Sequence, residues 1–219
     1  MRNAYPGYDV MAKRDTPSWN EQTRDVINRR LALDPDAHEF FTRAEWQTLR
    51  ALCARIVPAD ETARPSPVAA TIDVKMRERV SDGYRDARLP PMAQAWRCAL
   101  AALEQEALSA HGGSYHALPA DLQDLMLREM QHGRLHHQAW GDLRSDVFFQ
   151  HRVLVDVVSA YYAQPSAWND IGWGGPASPR GYVRMDFDRR DPWEAAEAKA
   201  GREQQAYAEN MRVGRSTAR

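Results

Sequence analysis

Cysteine is scarce in this chain of 219 residues: there are two, Cys53 and Cys98, and neither belongs to a C-x-x-C pair. That spacing argues against zinc or iron–sulfur ligation and against a disulfide framework. Both fall in apolar helical stretches and read as small buried hydrophobes. No run approaches 18 apolar residues, so no membrane-spanning helix is expected. Net charge is absent as well: 29 Lys and Arg stand against 30 Asp and Glu. No overall field therefore draws the chain to nucleic acid or to an anionic membrane. No nucleophile motif, phosphate loop or dinucleotide fingerprint is found; Gly172-Trp-Gly-Gly is too short and has no strand before it. Residues 1–10 lack the apolar core of a secretory signal, and no long apolar region follows Arg29-Arg30. By its own sequence the chain is expected to be cytoplasmic, or periplasmic if a signal-bearing partner exports it.

What the chain does have is helix. Hydrophobic residues make up 43% and charged residues 27%, the balance of a helical body with long polar ends. Thr42-x-x-Glu45 is a capping box, with Phe41 and Trp46 spaced as a hydrophobic staple. Trp46, Leu49, Leu52, Cys53, Ile56 and Val57 recur at helical spacing up to Pro58. The next helix is predicted over Val68 to Val80, with Ile72, Met76 and Val80 on one face. Pro90-Pro91 opens a third, carrying Trp96, Leu100, Leu103 and Leu108 to about Ala110. Trp96 reads as core rather than as the wall of a cofactor pocket. A fourth runs from Pro119 to Gly133, with Leu122, Leu125, Met126 and Met130 as its stripe. The fifth begins at Ser145 and passes through Val153, Val157 and Tyr161 to about Ala163. With no alternating strand pattern and no internal repeat, the fold class is all-α: a compact body of about five helices.

Three segments are predicted: an N-terminal arm over 1–37, a helical domain over 38–182 and a polar tail over 183–219. Within the arm only Glu21 to Leu33 has helical pattern. In the tail, Asp191-Pro192-Trp193 starts a helix running to about Asn210 that has few apolar residues to bury. The stretch from Trp168 to Tyr182 holds two Trp, one Tyr, four Gly and two Pro. That density of Gly and Pro excludes regular structure, yet a disordered linker would not carry three large aromatics. An ordered recognition loop is the reading. Tyr5, Tyr8 and Trp19 in the arm, Trp168, Trp173, Pro176, Arg180 and Tyr182 in the loop, and Trp193 in the tail form the expected partner interface. Arg beside aromatics is the composition of interface hot spots.

Two other clusters carry chemistry in principle. Glu129, His132 and His136, spaced three and four apart, would share one helical face and bind a metal, with His116 and His151 near. Gly133 interrupts that face, and histidines at the surface or in hydrogen bonds are the plainer reading. Asp60 and Glu61 form a paired carboxylate in a Pro-rich loop, where a solvated turn is again plainer.

Phe40-Phe-Thr-x-x-Glu-Trp through Val57-Pro-Ala-Asp60, Phe148-Phe to Tyr162, and Trp168-x-Asp-Ile-Gly-Trp-Gly-Gly-Pro-Ala-x-Pro-Arg-Gly-Tyr182 together resemble the gluconate 2-dehydrogenase subunit 3 family. The arm Tyr5-Pro-Gly-Tyr-Asp-Val to Trp19 resembles members that accompany sugar-oxidising flavoproteins. The resemblance implies a noncatalytic small subunit with no cofactor of its own. It implies a large partner of the glucose–methanol–choline type that holds FAD and oxidises a sugar or sugar acid, with a cytochrome c as electron acceptor. Two alternatives stay open: an independent helical metalloprotein using Glu129, His132 and His136, and an assembly chaperone for the flavoprotein.

Overall fold

A computed structural model of the chain describes residues 4–16, 18–57, 66–80, 82–176, 181 and 194–213. Among these every regular element is helical. The contacts divide the chain into two compact units, Leu33–Tyr161 and a second made of Met1–Ala32 with Tyr162–Arg219. These boundaries differ from the sequence divisions at 37 and 182.

The Leu33–Tyr161 unit contains α2 (Arg43–Ile56), α3 (Val68–Arg77), α4 (Met92–His111) and α5 (Ala120–Gln131). A last helical run follows, built of α6 (Ser145–Phe148), a π-turn (Phe149–Val153) and α7 (Leu154–Tyr162), whose final residue falls in the other unit. Local chemistry explains the ends. The Thr42 Oγ1 accepts the Glu45 N–H while the Glu45 carboxylate accepts the Thr42 N–H at 2.8 Å, a reciprocal cap. Asp73, buried in α3, accepts the N–H groups of Glu39, Phe40 and Phe41 and so fixes the chain entering α2. Pro91 precedes α4, and Gly112, left-handed at φ 72°, ends it.

The core gathers around Trp96, which is fully buried and meets Phe148 edge-on at 5.1 Å between ring centroids. Leu49, Leu52, Leu100, Leu103, Met130 and Val157 complete its centre. Each such side chain contributes about 1.5–3 kcal/mol by leaving water. Three expected positions differ. Val80 is exposed because α3 stops at Arg77. Leu125 and Leu108 face solvent, and Leu127 takes the buried place on α5. Cys53 is buried as expected, but Cys98 lies on the exposed side of α4; both are free thiols.

The other unit holds a 3-10 turn (Val10–Lys13), α1 (Glu21–Leu31), α8 (Pro165–Ile171) and α9 (Glu203–Asn210). Asn20 caps α1 by accepting the Thr23 N–H, and Pro165 stands at the first turn of α8. Its core is Tyr8, Val10, Trp19, Ile27, Trp168 and Val213. The tail helix starts only at Glu203; residues 195–199 are irregular and bonded in place. The Ala198 N–H donates to the Ala4 carbonyl at 2.7 Å. The Asn210 side chain accepts from the Ala196 N–H at 2.6 Å and donates to the carbonyls of Pro6 and Ala196.

Candidate partner-binding surfaces

The closing loop begins as the last turns of α8, so Trp168 to Ile171 are helical rather than irregular. The helix then ends in a Schellman turn. The Gly172 N–H donates to the Asn169 carbonyl and the Trp173 N–H to the Trp168 carbonyl, with Gly172 at φ 66°. That turn brings Trp173 edge-on against Trp168, with centroids 4.8 Å apart and planes at 85°. The Trp168 indole N–H donates to the Tyr162 carbonyl at 2.6 Å.

The arm locks onto this turn. The Val10 N–H donates to Asn169 Oδ1 at 2.8 Å, and the buried Lys13 ammonium donates to the Gly174 carbonyl. Lys13 Nζ also lies 5.8 Å from the centroid of the Trp19 ring. Gly175 packs so closely on Val10, Trp168 and Trp19 that a β-carbon there would meet all three within 3.2 Å. Tyr8, Trp19 and Trp168 thus face their own chain, at 5%, 1% and 1% exposure. Burial, with the carboxylates of Asp9 and Glu194 adding to it, pushes the Tyr8 phenol far above its ordinary pKa. Of the expected interface, Trp173 is open at 38% exposure, while Tyr5 and Pro176 are half-buried. Arg180, Tyr182 and Trp193 lie outside the described residues. In the same unit Ile171, Tyr207 and Met211 are also exposed, apolar positions to which the sequence pattern gave no weight.

A groove of about 800 Å³ opens on the Leu33–Tyr161 unit, between the end of α3, the segment leading into α4, and the last helical run. Phe40, Met76, Leu89, Met92 and Val155 give it apolar walls, and Arg79 and Tyr84 stand at its edge. Sequence reading missed this groove because it assigned Val80 to the buried face of a longer α3.

The histidine cluster does not assemble. Gly133, at φ 67°, ends α5 after Gln131, so His136 lies beyond the helix that was to carry it. Glu129 is held by Arg134 through two bonds of 2.7 Å, which keep its carboxyl below the usual range. The His137 N–H donates to Glu106, and His151 sits 3.5 Å from Asp86. Among the described residues no group of three His, Cys, Asp or Glu side chains is placed to hold a metal ion. Asp60 and Glu61 lie outside the described residues. No described helix is long and apolar enough to cross a membrane.

Among the described residues every regular element is helical, and apolar side chains stay exposed on each unit, so the chain is of the all-α class. Residues 43–175 match the family model described as gluconate 2-dehydrogenase subunit 3, and the chain belongs to that family, the accessory subunits of a dehydrogenase complex. The match runs from the first residue of α2 to Gly175 of the closing turn. No curated protein and no solved structure matches the chain.

Proposed function

We propose that this chain is the noncatalytic small subunit that binds and stabilises a glucose–methanol–choline-type flavoprotein, which oxidises a sugar or sugar acid. FAD is assigned to that partner in this reading, as the family resemblance implies. A cytochrome c serves as the electron acceptor in this reading. The observation that carries it, beyond family membership, is Trp173. Its ring is fixed from behind by Trp168 and the Gly172 turn, yet it stays open to solvent. A rigid, exposed aromatic costs little entropy to bury and is a typical interface anchor. Tyr5 and Pro176 flank the proposed contact from the arm and the loop, and Arg180, Tyr182 and Trp193 extend it in sequence.

Co-expression with the large subunit, followed by size exclusion read at protein and flavin wavelengths, tests the proposal. The expected result is co-elution with a yellow partner whose solubility or activity falls without this chain. Trp173→Ala, at an exposed ring outside the core of its own unit, should weaken the complex. A chain that elutes alone while the flavoprotein works without it overturns the reading. A fixed stoichiometry in the purified active enzyme separates a permanent subunit from an assembly chaperone.

A further inference from the structure

The groove of the Leu33–Tyr161 unit joins an apolar trough to unbalanced charge. Four cations line it, Lys75, Arg79, Arg85 and Arg152, against two carboxylates, Asp82 and Asp86, so the lining is two charges positive. Outside the lining, Asp156 pairs with Lys75 and Arg88 pairs with Asp86, one charge of each sign, so the sum is unchanged. Three of the four cations are engaged. Lys75 binds Asp82 and Asp156, Arg152 binds Asp82, and Arg85 donates to the Leu89 carbonyl. Arg79 is exposed, and its guanidinium has no partner among the described residues.

Arg79 also stands where another residue would fit better. The N–H of Arg79 donates to the Met76 carbonyl and that of Val80 to the Lys75 carbonyl, so α3 ends in a Schellman turn. The left-handed position in such a turn favours glycine, but here Arg holds it at φ 55°. Local stability does not explain the side chain; it places five donors above an apolar trough. Val80, Tyr84 and Val155 are exposed beside it, at 50%, 79% and 42%.

We propose that the groove receives a segment of the large dehydrogenase subunit that carries apolar side chains beside an Asp or Glu, whose carboxylate pairs with Arg79. The apolar side chains enter the trough walled by Phe40, Met76 and Val155, and the carboxylate meets the one uncommitted cation on the described lining. Charge complementarity selects an acidic segment, and a trough of about 800 Å³ has room for several side chains. The inference rests on the small-subunit reading above.

Full-length chain is titrated with the purified large subunit, using wild type, Arg79→Gly, Arg79→Lys and Val155→Asp. Arg79→Gly relieves the left-handed strain, so its melting temperature should equal or exceed wild type while binding weakens about ten-fold and loses salt dependence. Arg79→Lys should recover part of the affinity, and Val155→Asp should weaken binding further. A photo-crosslinker at Tyr84 should attach to a large-subunit peptide containing Asp or Glu. Wild-type affinity in both Arg79→Gly and Val155→Asp, or crosslinks only to a second copy of this chain, overturns the groove assignment alone. Failure of wild type to bind overturns the small-subunit reading and this assignment with it.

Discussion

The ring of Tyr5 fills the space that a side chain at Gly172 would need: a β-carbon built there stands 2.5 Å from the ring. Gly172 is therefore fixed twice, by its left-handed φ of 66° at the end of α8 and by the arm residue pressed against it. Gly201, in the same unit at φ 75°, has no atom near the place of its missing β-carbon. Gly201→Ala should cost about 1 kcal/mol of strain. Gly172→Ala should cost that and a further 1–3 kcal/mol or so of overpacking. Denaturant midpoints, with protease cleavage of the arm as a local probe, compare the two. Tyr5→Ala should remove much of the extra cost, because the two positions are coupled through one contact. Equal costs for the two glycine variants would show that Tyr5 yields without effort.

Much of the helical body is legible in the sequence because its punctuation is local. Thr42 and Glu45 announce α2, Pro91 and Gly112 bracket α4, and the apolar spacing around Trp96 marks a buried face. The end of α3 is not legible: Val80 continues the spacing of Ile72 and Met76, and nothing in the letters says that Arg79 turns left-handed. The histidines are the reverse case: spacing places Glu129, His132 and His136 on one face only while the helix lasts, and Gly133 already announces its end. The arm and loop aromatics were recognisable as residues that something must cover. Composition cannot tell cover by a partner from cover by the same chain, and Tyr8 and Trp19 pack in one cluster with Trp168, about 150 residues further along the chain.

The two cysteines should separate cleanly in a thiol-labelling experiment. Burial, with the Asp156 carboxylate adding to it, pushes the Cys53 thiol far above its ordinary value. It is therefore both inaccessible and protonated, whereas Cys98 is exposed on α4. A chromogenic disulfide reagent at mildly alkaline pH should titrate one thiol in the native chain and two in denaturant. Rapid native labelling of both would show that α2 opens on the time scale of the reaction.

Beneath the groove, Asp156 is buried with its carboxylate accepting from the Trp96 indole at 2.7 Å and from Lys75 at 2.9 Å. Lys75 reaches Asp82 at 2.6 Å, and Arg152 reaches it at 2.8 Å. Two cations thus balance two carboxylates, and removing Lys75 leaves the buried Asp156 with only the more distant Arg152, at 3.8 Å. Lys75→Met should cost about 3–5 kcal/mol, more than Asp156→Asn, which keeps an acceptor for Trp96. At Asp82 burial raises the carboxyl pKa, but the hydrogen bonds from Lys75 and Arg152 outweigh it and hold the value below the ordinary one. A folded-state pKa depressed in this way stabilises the fold above the unfolded value of about 3.9, and that contribution disappears as pH falls through the folded value. Lys75 has the opposite sign. Burial lowers its pKa, the bonds to Asp82 and Asp156 raise it beyond that, and its contribution is lost only in strong alkali. The stability gap between wild type and Asp82→Asn should therefore stay constant from about pH 8 to 6 and narrow towards about pH 3. Denaturant midpoints across that range measure it. A gap that persists in acid would mean that Asp82 holds the end of α3 to the last helical run by geometry, with its charge incidental.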